Sequence, residues 1–307
     1  GFVTQPTLFW SVEAENGGNQ DVELSYQTDN MEWNAEYTLV LNEDDTRAEL
    51  SSWVSLTNNS GATYRNANLK LMAGNVRKVE RDRVGSGVFN GKELVATQRI
   101  SYSVNNFTEA ELFEYNVYEL ERKTTLADRE TKQIALFSSD KIATEKKYKY
   151  YIPDNTVENG HPTVSIEFAN TKANRLGNPM PEGNFQVMKI TGKGKELVGE
   201  SKVYHTPKDE KIKLEIGDVF DAVIESIVKS DAMIGESVNE KEFEIKIKNH
   251  KNEPIKLDLM KYAYGTSEVI SCSEKWEKES AYSTKIPVSV GADSEKTVTL
   301  KVRTKYK

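Results

Sequence analysis

The chain has 307 residues, with 41 Lys and Arg against 48 Asp and Glu and a formal net charge of −7. That acidity disfavours a general nucleic-acid binder or attraction to anionic membranes, and no apolar run of roughly 18 residues offers a membrane-spanning helix. The single cysteine, Cys272, excludes an intrachain disulfide, a multi-cysteine zinc site and a CxxC redox centre. With no histidine near it in the sequence, it reads as a small, half-buried apolar residue.

The length allows two domains. Hydrophobic residues make up 37%, which suits slim β-domains with thin cores. The start, "GFVTQPTLFW", lacks a basic segment followed by an apolar one, so no signal peptide is visible. A chain opening almost directly on a strand, without Met, is expected to be mature or trimmed.

In chain order, period-2 alternation dominates, which places alternate side chains on one face of a strand. "DVELSYQT" sets Val22, Leu24 and Tyr26 on one face, and "WNAEYTLVL" sets Trp33, Ala35, Tyr37, Leu39 and Leu41 together. The acidic turn "NEDDT" (Asn42–Thr46) follows, a solvated turn or a weak calcium site. The charged, Gly-containing stretch at about 76–108 breaks the rhythm and is expected to be an insertion. "KKYKYYIP" closes the first domain as an exposed or edge strand, its lysines discouraging illicit pairing. "DNTVENGHP" (Asp154 to Pro162) is the expected linker.

Beyond it, "TVSIEFA" aligns Val164, Ile166 and Phe168, and "EKIKLEI" aligns Ile212, Leu214 and Ile216. "KEFEIKIKN" aligns Phe243, Ile245 and Ile247, and "KTVTLKV" aligns Val298, Leu300 and Val302. Their opposite faces are polar, the code of antiparallel sheets with one wet side. Residues 219–230, "VFDAVIESIVKS", fit a helical spacing but are rich in β-branched residues, so strand and helix both stay open. Three strands end on asparagine, Asn58, Asn170 and Asn249, each followed by a polar turn. Asparagine suits such exits because its side chain bonds local backbone and it tolerates left-handed conformation.

Few motifs carry chemistry. His205 in "VYHTPKDEKIKLEIGDVFD" stands among acids including Asp209, but lysines offset them and no second imidazole is near. A turn leading into a strand is the plainer reading, with ion binding at His205 open. His161 and His250 sit beside turn residues. "TGKGKE" lacks the GxxxxGK[ST] pattern of a phosphate loop and reads as a hairpin turn. Asn58-Asn59-Ser60 and Asn106-Phe107-Thr108 match the glycosylation triplet, which matters only in a glycosylating secretory pathway. Of Trp10, Trp33, Trp53 and Trp276, Trp33 belongs to a core face, and Trp53 is exposed or packs on a second layer.

The stretch "PTLFWSVEAENGGNQDVELSYQTDNMEWNAEYTLVLNEDDTRAELSSWVSLTNNSGATYRNANLKLMAGNV", with "FEYNVYELERKTTLADRETKQIALF", "LGNPMPEGNFQVMK", "GESKVYHTPKDEKIKLEIGDVFD" and "IKNHKNEP", resembles the C-terminal domain of unknown function of mucoidy-inhibitor-A-like proteins. The resemblance spans nearly the whole chain in order. It implies β-sandwich modules, commonly in proteins with a secretion signal; the family's N-terminal coiled-coil region is absent here. It carries over no catalytic residue, and the family name points to the envelope or exopolysaccharide.

The expected fold is all-β: tandem antiparallel, immunoglobulin-like β-sandwiches at residues 1–153 and 163–307, joined by the linker 154–162. The expected role is noncatalytic, a secreted or cell-envelope structural or interaction protein. Its exposed strand edges would contact like or unlike chains and could build a surface layer or filament. A carbohydrate- or polymer-binding module is the alternative, and a metal-dependent hydrolase at His205 and Asp209 the third reading. No catalytic or cofactor-binding residue, cofactor or nucleic-acid partner is nominated.

Overall fold

The computed structural model describes residues 21–73, 107–112, 115–262 and 266–306, with a few isolated positions before residue 21. It is all-β, and among the described residues no helix is long and apolar enough to cross a membrane. Strands β1 (Met31–Leu41) and β2 (Arg47–Asn58) form a hairpin. Short strands follow: β3 (Tyr64–Ala67), β4 (Lys70–Ala73), β5 (Phe107–Leu112), β6 (Tyr115–Leu120) and β7 (Thr124–Leu126). Next come β8 (Glu130–Ala143), β9 (Glu145–Tyr151), β10 (Val157–Gly160) and β11 (Thr163–Ala169), then a single 3-10 turn at Lys172–Asn174. The chain continues through β12 (Gly183–Thr191), β13 (Gly194–Val203), β14 (Lys211–Asp218), β15 (Ala222–Gly235) and β16 (Val238–Asn249). It ends with β17 (Ile255–Tyr262), β18 (Thr266–Cys272), β19 (Glu277–Ser280), β20 (Ser283–Val290) and β21 (Ser294–Lys305).

Three large sheets organise these strands. Their orders are β13-β12-β1-β2-β8, β14-β11-β9-β17-β20-β19 and β10-β15-β16-β21-β18; β3-β7 and β4-β6-β5 form two small sheets. Most pairs are antiparallel, but β1–β12 and β9–β17 are parallel. The first core lies between the first sheet and one end of the six-stranded sheet, where Tyr37, Leu39 and Phe185 meet Ile166, Phe168 and Leu214. The second lies between the other end of that sheet and the third sheet, where Tyr148, Leu257 and Ile286 meet Ile224, Phe243 and Ile245. A smaller cluster of Val54, Leu56, Leu71, Tyr118 and Leu126 covers the β4–β6 region. Alternation therefore reports burial in β14, β16 and β21 and in most of β1 and β11, where Val40 and Ser165 are buried out of phase and Val164 is only partly buried.

Several expectations change. The first core draws strands from both sides of residues 154–162, because β12 pairs with β1 and β11 and β14 supply its far wall. A division at 154–162 thus does not separate the two cores. That stretch contains β10, which pairs with β15. Its start is held by the buried Lys261 ammonium, which donates to the Ile152 and Pro153 carbonyls and to Asp154 at 3.3, 3.2 and 2.7 Å. The insertion expected at 76–108 lies outside the described residues, except that Phe107 and Thr108 open β5. "KKYKYY" is no edge: β9 sits between β11 and β17, with Lys147 on Glu167 at 2.7 Å and Lys146 on Asp45 at 2.7 Å. Residues 222–235 are strand, and their inward set is Ala222, Ile224 and Ser226 at period 2. "DVELSYQT" forms no strand among the described residues; Val22, Leu24 and Tyr26 are 61, 50 and 55% exposed.

Candidate functional site

The clearest built feature starts from one buried asparagine. Asn170 follows β11 and is fully buried. Its Nδ2 donates to the carbonyls of Asn178 and Pro207 at 2.8 and 3.0 Å, and its Oδ1 accepts from the Gly177 amide at 3.0 Å. One side chain thereby ties the loop before β12 to the loop before β14. Met180 and Thr206 lock the same loops by exchanging backbone bonds of 2.8 and 2.9 Å. From beneath, the Tyr118 hydroxyl donates to Pro179 O and the Tyr37 hydroxyl to Pro181 O, each at 2.8 Å. The proline-rich loop uses carbonyls as anchors because its prolines have no N–H to offer.

His205 joins this junction. Its Nδ1 accepts the Glu182 amide at 3.1 Å, which leaves the proton of the neutral ring on Nε2. The loops border a cleft of about 540 Å³ lined by Asn116, Tyr118, Lys172, Asn178, His205 and Lys208, among others. An adjoining recess of about 280 Å³, lined by Trp33, Asn34, Asn184 and Lys202, shares His205. Lys202 is compensated by Glu182 at 3.7 Å. The ammonium groups of Lys172 and Lys208 meet no carboxylate among the described residues. Asp209 adopts φ 65, gives its amide to Asn170 O, and lines neither space. The cleft is therefore rich in donors and positive charge, which suits an anionic, acceptor-bearing occupant. His205 and Asp209 are not brought together as an acid–base pair.

The other nominated positions are structural in their contacts. In the Asn42–Thr46 turn, Asn42 Oδ1 accepts the amides of Thr46 and Arg47 at 2.9 and 3.0 Å. The Asp45 carboxylate takes Lys146 at 2.7 Å and Lys189 at 2.6 Å, so cationic side chains occupy the place a calcium ion would need. Burial alone would raise the Asp45 pKa; hydrogen bonds and charge from the two lysines outweigh it and leave the carboxyl below its ordinary value. Among the described residues no three His, Cys, Asp or Glu side chains converge as metal ligands. His161 Nδ1 contacts the carbonyls of Val219 and Ala222 at 3.1 and 3.0 Å, pinning the turn into β15. His250 is exposed. Cys272 packs at the edge of the second core, where burial raises its thiol pKa.

"TGKGKE" is the β12–β13 hairpin turn. The Asn58 amide is buried and donates to Ala62 O and Ala127 O, so a glycan there would require local unfolding. Asn106 and Trp10 lie outside the described residues. Trp33 packs between the first core and the smaller cluster, Trp53 is half-buried on the outer side of its sheet, and Trp276 is 43% exposed. Asn116, Tyr118, Lys172 and Asn178 escape sequence reasoning, because contacts between segments distant in the chain assemble them: Asn170 ties the two loops together and Tyr118 brings β6 to Pro179. The asparagine ending the strand is the one signal that could have led there.

A family model described as "Domain of unknown function (DUF4139)" matches residues 22–306. No curated protein and no solved structure matches the chain. The matched span takes in both large cores and every residue named above as lining the His205 cleft, so the chain belongs to the DUF4139 family.

Proposed function

We propose that this chain is a noncatalytic structural and interaction protein of the cell envelope or extracellular space. In this reading it is built of immunoglobulin-like β-sandwiches that share a sheet, and it assembles with copies of itself into a surface layer or filament. A relationship to mucoidy-inhibitor-A-like proteins belongs to the same proposal and is compatible with the family match. The observation that carries it is the segment 21–28. Its alternation encodes a half-buried strand, yet Val22, Leu24 and Tyr26 stand exposed and outside every ladder among the described residues. A strand code unsatisfied within the chain is a template for satisfaction by another. Sedimentation velocity across a concentration series tests this: the chain should associate reversibly, and Val22→Asp/Leu24→Asp should weaken association. A chain that stays monomeric at its highest soluble concentration, with no assembly on cells of its source, sinks the proposal.

A second reading, a carbohydrate-binding module, is favoured by one surface. Tyr151 and Tyr262 stack with ring centroids 5.1 Å apart and planes 4° apart, and each is nearly half exposed. Exposed stacked rings offer an apolar platform with polar tips, which suits a sugar face. Binding on a glycan array that is lost in Tyr151→Ala/Tyr262→Ala supports it; silence of the wild-type chain removes it.

A further inference from the structure

We infer that the cleft between Lys172, His205 and Lys208 receives the acidic segment around residues 21–28 of a second copy of this chain. The inference rests on the assembly reading and gives it a donor and an acceptor. Charge is the first argument. Residues 1–46 contain no Lys, Arg or His; Arg47 is the first basic residue, and Glu13, Glu15, Asp21, Glu23 and Asp29 precede it. The side chains of the N-terminal stretch are thus purely anionic, whereas the cleft is lined by two lysines, Lys172 and Lys208, whose ammonium groups meet no carboxylate among the described residues. The acids nearest the cleft do not cancel them. Glu182 is engaged by Lys202, and Asp209 and Glu210 line neither the cleft nor its adjoining recess.

Shape is the second argument. A cleft of about 540 Å³ has room for a few side chains of an extended segment, and such sites combine apolar walls with a few placed polar groups. Pro179 and Pro207 supply accessible apolar wall for Val22 or Leu24, with the buried Met180 and Tyr118 beneath them, while the lysines and amides offer donors to carboxylates. Alternation puts Asp21 and Glu23 on the side opposite Val22 and Leu24, so one extended segment presents both chemistries at once.

Placement is the third argument and favours a second copy. Tyr26 and Thr28 lie near Tyr64, whose hydroxyl accepts from Ser60 Oγ at 3.5 Å. Tyr64 lines neither the cleft nor its recess. Residues 21–28 themselves line neither space on their own chain, and Asp21 and Glu23 stand exposed, open to a second copy. Donor and acceptor are different surfaces, so the contact is heterologous and propagates from copy to copy. Ion pairing should make it weaken as salt screens it.

Charge reversal on the full chain tests the inference. Lys172→Glu/Lys208→Glu alters the cleft and Asp21→Lys/Glu23→Lys alters the segment; all four positions are exposed, and circular dichroism checks the fold of each variant. Each variant alone should associate about tenfold or more weakly than wild type in sedimentation velocity, as expected for the loss of two ion pairs. Mixing the two should restore association, because each segment then meets a cleft of opposite charge. If wild type associates and either variant associates equally well, this docking is wrong while assembly stands. Failure of the mixture to recover, with recovery in the fourfold variant, would assign the contact to a single chain and overturn the second-copy claim. A wild-type chain that never associates removes the assembly reading and the docking together.

Discussion

Three asparagines show how a residue at a strand exit can organise a loop. Asn58, Asn170 and Asn249 are all buried, and each donates through Nδ2 to two or more loop carbonyls. Each also accepts a loop amide through Oδ1: from Ser60 at 3.1 Å, Gly177 at 3.0 Å and Lys251 at 3.2 Å. None has positive φ, so their value here is the amide side chain and not left-handed tolerance. Asn170→Ala leaves two carbonyls and an amide unpaired in a protected place, and it should cost about 3 kcal/mol. Urea unfolding reads that loss directly. Asp45 makes a pH-dependent contribution. Its folded pKa lies below the ordinary value because Lys146 and Lys189 more than offset its burial. In the unfolded chain the carboxyl returns to about 4, so as pH falls the unfolded state takes up the proton first. The stability from this cluster is full above that ordinary value and is lost as pH falls through the folded value. Asp45→Asn keeps a residue that tolerates the φ of 58. It should cost about 2 kcal/mol at neutral pH, and its gap from wild type should close progressively below about pH 4.

At the scale of elements, the parallel join of β1 and β12 is the most demanding contact. Gly183 pairs with Ala35, and a Cβ on Gly183 would lie 2.2 Å from Ala35 O and 2.8 Å from the Tyr37 ring. Gly183→Ala must push β12 away from β1 and unseat Phe185 from its stack on Tyr37, whose ring centroids are 4.4 Å apart. The expected cost is about 3 kcal/mol, the upper end for overpacking. Gly192→Ala, in the β12–β13 turn with nothing within 4 Å, should stay within about 0.5 kcal/mol of wild type. Comparing the two urea midpoints separates crowding from the general loss of a glycine. This join also marks the limit of what alternation conveys. β1, β11, β14, β16 and β21 are legible because each turns one face to a core, and Leu39, Phe168, Leu214, Ile245 and Leu300 are buried accordingly. The partners of a strand are not local information. β9 looks like an edge because its lysines are numerous, but those lysines meet carboxylates from other elements. Residues 21–28 look like a strand because alternation states what a segment could bury, not what stands beside it. The His205 cleft escapes for the same reason: its "HTPKDE" wall is local, but the "LGNPMPEGN" wall arrives through Asn170, the Met180–Thr206 bridge and the Tyr118 and Tyr37 hydroxyls.

At the scale of the whole molecule, the six-stranded sheet makes the two large cores mechanically one. β9 pairs with β11, which faces the first core, and with β17, which faces the second. Lys261 fastens the exit of β9 beside Phe243, its ammonium 4.2 Å from that ring. Ladder hydrogen bonds therefore run without interruption from one core to the other, and neither can lose its share of the sheet without stripping an edge from its neighbour. Independent domains joined by a linker would unfold in two steps, whereas cores sharing a sheet should unfold together. Phe185→Ala empties a fully buried site in the first core and should cost about 3–5 kcal/mol. The informative measurement is in the other core. Amide exchange at Phe243, Ile245 and Ile247, tens of residues away in the chain, should accelerate in Phe185→Ala as much as exchange at Leu39 and Val187. Equal acceleration is the signature of one global opening. If the β16 amides keep their wild-type protection while the β1 amides lose theirs, the shared sheet does not couple the cores, and the chain behaves as two separable units despite its continuous ladder.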